Sequence, residues 1–154
     1  MTQVTERTRR AGGRPMPDET VLDDVRSGSH AGTALRVLGA LAVLTVGAVH
    51  LEQYFGVHFD VVPVIGPLFV LNFAGAALIA LGLLLPLGRL HIPLALGGMG
   101  LAATAFVFFF ISEHRPLFGF QDYGYRPAII VALTAEAAAV VLLGGYLARR
   151  SRVS

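Results

Sequence analysis

Glu136 is the residue whose type and setting bear most directly on chemistry. It stands about eight residues into the apolar stretch Ala128–Ala148. A charge near the middle of a bilayer costs roughly 3 kcal/mol or more. The carboxyl is therefore expected to be neutral, paired or turned to a polar cavity. Other polar side chains fall at similar depth on other apolar stretches: Thr45, Asn72 and Thr104. At ~1.5 Å per residue, they lie roughly 7–15 Å below one boundary. Two readings follow. One is a proton-relay or ligand site around Glu136. The other is a protonated Glu bonded to Asn72 or a Thr, joining helices. The second fits better, because one carboxyl without a chain of partners makes a poor conduit.

A second constellation lies in the connections. His50, Glu52, Tyr54, His58 and Asp60 belong to the first, and Glu113, His114, Arg115, Asp122 and Arg126 to the third. Imidazole with carboxylate suits a divalent metal, which selects His50, His58, Glu113 and His114 as candidate ligands. Their spacings match no established metal motif, and an ordinary hydrogen-bonded rim is the simpler reading. His50 and His114 also end two apolar stretches on the same side, as axial haem ligands in a membrane bundle would. His30 and His91 stand alone and are assigned no role.

These residues must be positioned by membrane helices. The chain has 154 residues, 55% hydrophobic and 14% charged, against about a quarter charged in soluble domains. Four stretches, about 33–51, 62–87, 92–112 and 128–148, each supply enough residues to cross a hydrocarbon core of ~30 Å. Pro63, Pro67, Pro93 and Pro127 fall at helix starts, where a missing N–H costs little, and Pro86 with Gly88 ends the second helix. Small residues recur in all four stretches, among them Gly39, Gly47, Gly75, Gly98 and Gly144, and permit close helix approach. The expected fold is all-α, an antiparallel four-helix transmembrane bundle over 33–148. Residues 1–32 read as a disordered cytoplasmic tail and 149–154 as a basic one. Within the first tail, Thr20–Arg26 has the pattern of a short amphipathic turn.

All 12 basic residues are Arg. They crowd the N-terminal tail, Arg36, Arg89 and Arg149-Arg150-Ser151-Arg152, while Glu52–Asp60 carries none. The positive-inside rule then puts both termini in the cytoplasm and the first and third loops outside. Tyr54, Phe55, Phe59, Phe118, Phe120, Tyr123 and Tyr125 gather in or beside those loops, as an aromatic belt at the headgroups would. The Arg pattern has no basic face with stacking aromatics, so nucleic acid is not an expected partner. The absence of cysteine excludes thiol catalysis, disulfides and Cys-ligated clusters. Arg9-Arg10 lies too far from the apolar stretch to serve as an export signal. No internal repeat of the transporter kind is evident.

His50-Leu51-x-x-Tyr54, then Val62-Pro63-Val64-Ile65-Gly66-Pro67-Leu68-Phe69-Val70-Leu71-Asn72, then Leu117-Phe118-Gly119-Phe120 carry a resemblance. The chain resembles a group of small four-span integral membrane proteins of actinobacteria, in which such elements recur. Val62 replaces the Ile usual before the proline. The resemblance covers most of 35–148 and implies topology and a bacterial cytoplasmic membrane. It implies no activity, because the group has none assigned.

The resulting expectation is a non-enzymatic membrane protein. It would act as an accessory or interaction subunit of a larger membrane complex, or as a homo-oligomer. The alternatives are an outward-facing metal- or haem-binding protein with a redox or transport role, and proton-coupled transport through Glu136. Pro63, Gly66 and Pro67 are placed to stiffen the entry to the second helix, and Gly119 and Gly124 to let the third loop fold over the bundle mouth as a cap.

Overall fold

The computed structural model describes residues 19–121 and 124–152. Four α-helices account for most of them: α1 Glu19–Gly56, α2 Ile65–Leu84, α3 His91–His114 and α4 Pro127–Ser151. Short 3-10 turns at Phe59–Val61 and Gly88–Leu90 join the first and second pairs. Each helix contains a stretch long and apolar enough to cross a membrane: His30–Gly56, Ile65–Leu84, Gly88–His114 (which takes in the preceding 3-10 turn) and Pro127–Ser151. The chain is an all-α, multi-pass membrane protein.

The helix limits differ from those expected, for local reasons. Helix α1 begins at Glu19, so residues 19–32 are helical rather than part of a disordered tail; residues 1–18 lie outside the described residues. Once a span is formed, each further residue adds a hydrogen bond without a new nucleation cost. At its other end α1 runs to Gly56 instead of stopping near Leu51. Helix α2 is shorter than 62–87. Pro63 and Val64 form a tight turn in which Ile65 N–H donates to Pro63 O at 2.8 Å, with Val64 at φ 68°, ψ −53°. This is a γ-turn, a strained geometry for a β-branched residue. Leu85, preceding Pro86, is extended at φ −76°, ψ 154° and ends the helix, as a residue before proline should.

Contacts between neighbouring helices run in opposite numerical order. Arg36 and Gly47 of α1 meet Leu83 and Ala76 of α2, Gly82 and Gly75 of α2 meet Leu94 and Leu101 of α3, and Leu35 and Gly39 of α1 meet Gly145 and Leu143 of α4. At Gly47 α1 lies against the α2 backbone itself: a Cβ would stand 2.6 Å from the Ala76 methyl and 3.2 Å from Phe73 Cα. Only glycine allows the two backbones to come this close.

The two halves of the bundle are packed differently. Toward the end bearing Arg36, Arg89 and Arg150, the core is Ala40, Val43, Ala76, Ala80, Leu83, Ala95, Ala102, Ala139, Leu143 and Tyr146. Alanine predominates, so the helices lie close. Here carbonyls at the end of α2 find side-chain donors: Arg36 donates to Leu83 O, and His91 Nε2 lies 2.7 Å from Leu85 O, which also accepts the Leu87 N–H at 2.9 Å. Buried His91 and half-buried Arg36 therefore close a helix end. Toward the opposite end, which carries the 115–126 loop, larger side chains line the interior and the helices enclose a cavity.

Candidate functional site: a capped cavity within the bundle

The cavity has a volume of about 440 Å³ and receives residues from all four helices and from the capping loop. That is within the range of roughly 300–1,000 Å³ usual for small-molecule sites. Its walls are mainly apolar, with Val49, Leu68, Leu101, Phe109, Ile129 and Leu133 among them. Six polar residues interrupt them: His50, Gln53, Asn72, Thr104, Ser112 and Glu136.

Helix geometry explains how α1 supplies its share. Val46, Val49, His50 and Gln53 recur at three- and four-residue spacing and so share one face. His50 Nδ1 lies 2.8 Å from Val46 O, where its N–H donates to the carbonyl one turn back, and its ring stands edge-on to Phe69 at 5.0 Å. With Nδ1–H committed, Nε2 of the neutral ring is an acceptor. Ser112 likewise donates its hydroxyl to Phe109 O at 2.7 Å. Gln53 donates its amide N–H to Glu52 and leaves Oε1 buried without a partner. Asn72 Oδ1 and Glu136 Oε2 are also buried without partners. Glu136 is only 3% exposed and Gln53 6%. Three unpartnered oxygens thus belong to residues that line one cavity. Buried acceptors are rarely left so, because each costs about 1–3 kcal/mol.

The cap is aromatic. Leu117 and Phe120 pair through Leu117 N–H to Phe120 O at 2.7 Å and the reverse bond at 3.0 Å. Phe118 and Gly119 turn the chain between them with φ 51° and 81°. Both central residues have positive φ, as a type I′ turn requires; glycine adopts this readily, while Phe118 is under strain. Leu117 and Phe120 line the cavity. Phe120 stands edge-on to Phe59 at 5.1 Å, Phe59 edge-on to Phe69 at 5.2 Å, and the Arg126 guanidinium lies 5.4 Å from the Phe59 ring centre. Farther out, Tyr125 O–H donates to Glu113 at 2.9 Å and Gln121 donates to Glu113 O at 3.2 Å. Glu113 accordingly anchors the loop. Its carboxylate also holds the Tyr125 phenol above its usual range, through the hydrogen bond first.

The polar layer expected from depth is partly assembled. Asn72, Thr104 and Glu136 line the cavity together, but Thr45 does not. Its hydroxyl donates to Leu41 O at 3.0 Å, and it faces a shallow groove with Ile130, Val131, Thr134, Ala135 and Ala138. No hydrogen bond joins Glu136 to Asn72 or Thr104, so the expected polar link between helices is absent among the described residues. The candidate metal ligands His50, His58, Glu113 and His114 do not assemble: among the described residues no three His, Asp or Glu side chains come within reach of one ion. His58 is exposed, at the positive φ of 62° that precedes the Phe59 turn. Of the proposed haem pair, His50 lines the cavity, while His114 is exposed and donates Nδ1–H to Phe110 O at 2.8 Å. His114 is not among the residues that line the cavity.

Two polar lining residues were not expected, Gln53 and Ser112. Gln53 is on the His50 face of α1, and its helical spacing from His50 would have selected it had the helix been extended past Leu51. The aromatic belt is also revised. Phe55, Phe118 and Tyr125 are exposed, but Phe59 is buried and belongs to the cap. Tyr123 lies outside the described residues. Compared with family models, curated proteins and solved structures, the chain matches none of them.

Proposed function

We propose that this membrane protein binds, and does not transform, a mainly apolar molecule held by its polar end in the capped cavity. The observation that carries this reading is the set of buried oxygens without partners, Gln53 Oε1, Asn72 Oδ1 and Glu136 Oε2, on residues lining one space. A ligand donating hydrogen bonds offsets the cost of leaving them unpaired, and the apolar walls bury the rest of it. The cavity polar groups supply no activated nucleophile. Ser112 and His50 each spend their donor on a carbonyl of their own helix, and no hydrogen bond links them. An accessory role beside a larger membrane complex, or as a homo-oligomer, accords with a protein that holds a molecule without acting on it. The arginine pattern supports cytoplasmic termini, with the cap on the outer side of a bacterial cytoplasmic membrane. The motif resemblance to small actinobacterial membrane proteins favours the same setting.

The test is native mass spectrometry of the protein released from membranes. Wild type should carry a small molecule that Ala105→Phe, which fills the cavity from α3, does not. Identical small-molecule content in both, with helicity unchanged by circular dichroism, rejects the cavity as a binding site. Reporter fusions at each terminus test the orientation independently.

A further inference from the structure

Building on the cavity reading, we infer that the ligand is a lipophilic primary amine, a protonated ammonium on an apolar chain. We further infer that it enters sideways from the bilayer between α2 and α3.

The inventory of polar atoms sets the head group. No Arg lines the cavity, and the chain contains no Lys. His50 has its Nδ1–H bonded to Val46 O and offers a lone pair on Nε2. Ser112 spends its proton on Phe109 O. Gln53 Oε1, Asn72 Oδ1 and Glu136 Oε2 are acceptors without donors. The Thr104 hydroxyl and the Asn72 amide N–H also belong to the lining and can donate, but its buried unpartnered atoms are all acceptors, and its one carboxyl has no Arg or Lys among the lining residues. An ammonium brings three N–H donors and the opposite charge, so it satisfies several acceptors and forms a neutral pair with an ionised Glu136. An alcohol brings one donor and no charge. A fatty acid adds a second carboxyl beside the first, and a quaternary ammonium has no N–H to give.

The exposure pattern sets the route. Leu68 and Leu71 of α2, and Gly100, Thr104 and Phe108 of α3, line the cavity and are also exposed on the flank of the bundle. That flank belongs to membrane-spanning stretches and so faces hydrocarbon. At Gly100 nothing lies within 4 Å of where a Cβ would stand, which leaves the seam open. The cap, by contrast, covers the end of the cavity with Leu117 and Phe120.

The chain has no Trp, so Phe109→Trp in the full-length protein gives a single reporter inside the cavity. In lipid nanodiscs this protein is titrated with a bromine-labelled long-chain primary amine and with the alcohol, fatty acid and quaternary ammonium of equal length. The amine should quench saturably and bind tightest. Adding Glu136→Gln should weaken the amine about tenfold or more, since an ionised acceptor roughly doubles hydrogen-bond strength. Alcohol binding should be preserved in that variant, which also reports an intact cavity. Equal affinity for amine and alcohol, or an amine affinity indifferent to Glu136→Gln, overturns the amine assignment and leaves the cavity reading standing. No saturable quenching by any of the four overturns both. Gly100→Leu should slow amine association when the amine is delivered in the bilayer; an unchanged rate overturns the lateral route.

Discussion

Glu136→Leu should stabilise the ligand-free protein. Glu136 is 3% exposed, and its Oε2 has no hydrogen-bond partner. Removing a buried unsatisfied acceptor recovers about 1–3 kcal/mol. Leucine is similar in bulk and adds apolar contact with Leu101, Ala132 and Leu133, which share the cavity wall. Its branching differs, and repacking takes back up to about 1.5 kcal/mol. The net expectation is a gain of about 1 kcal/mol, roughly a fivefold change in the folded-to-unfolded ratio. Glu136→Gln keeps a buried carbonyl acceptor and should stay within about 0.5 kcal/mol of wild type. The assay is equilibrium unfolding in mixed micelles with increasing dodecyl sulfate, followed by far-ultraviolet circular dichroism on extensively delipidated protein. A loss of more than about 1 kcal/mol in Glu136→Leu refutes the reasoning. It would mean that the carboxyl holds helices together through bonds that the unpartnered Oε2 does not suggest. The same substitution should abolish amine quenching in the Phe109→Trp reporter, so a more stable protein with a silent cavity is the combined signature.

Gly47→Ala should cost about 1–3 kcal/mol in the same assay, because the new methyl would stand 2.6 Å from Ala76 Cβ and helix backbone cannot yield cheaply. Phe59→Ala removes the ring shared by Phe69, Phe120 and Arg126 and should cost about 3–5 kcal/mol. Faster amide exchange should appear in 115–121 ahead of the helix cores, and equal protection in both regions would count against Phe59 as the hinge of the cap. Ultraviolet titration should find Tyr125, identified by difference from Tyr125→Phe, ionising above the usual ~10 and returning toward it in Glu113→Gln. A raised tyrosine retains its proton longer in the folded loop, so any stabilisation it lends is complete below pH ~10 and lost as pH climbs through the raised value. An unshifted Tyr125 would show that the Glu113 contact does not persist.

What the sequence alone determined is a matter of length and depth. An apolar run must be near 20 residues to cross hydrocarbon, and the residue count along it gives depth through a fixed rise. The four spans follow from that, as do the similar levels of Asn72, Thr104 and Glu136. Prolines marked helix limits, though the turn at Pro63-Val64 and the extended Leu85 shortened α2 by several residues. The tertiary structure decided rotation and separation, which depth does not contain. Thr45 lies near the polar layer in depth but turns to another face of the bundle, because close approach at Gly47 and Ala76 sets how α1 is rolled against α2. Gln53 joined the site because α1 continues past Leu51 on the His50 face. His50 and His114 belong to the first and third stretches, toward the same side, yet only His50 lines the cavity. The cavity exists because an alanine-rich core draws the helices together at one end while Phe, Leu and Ile hold them apart at the other. That contrast can be read only once the four helices are placed side by side.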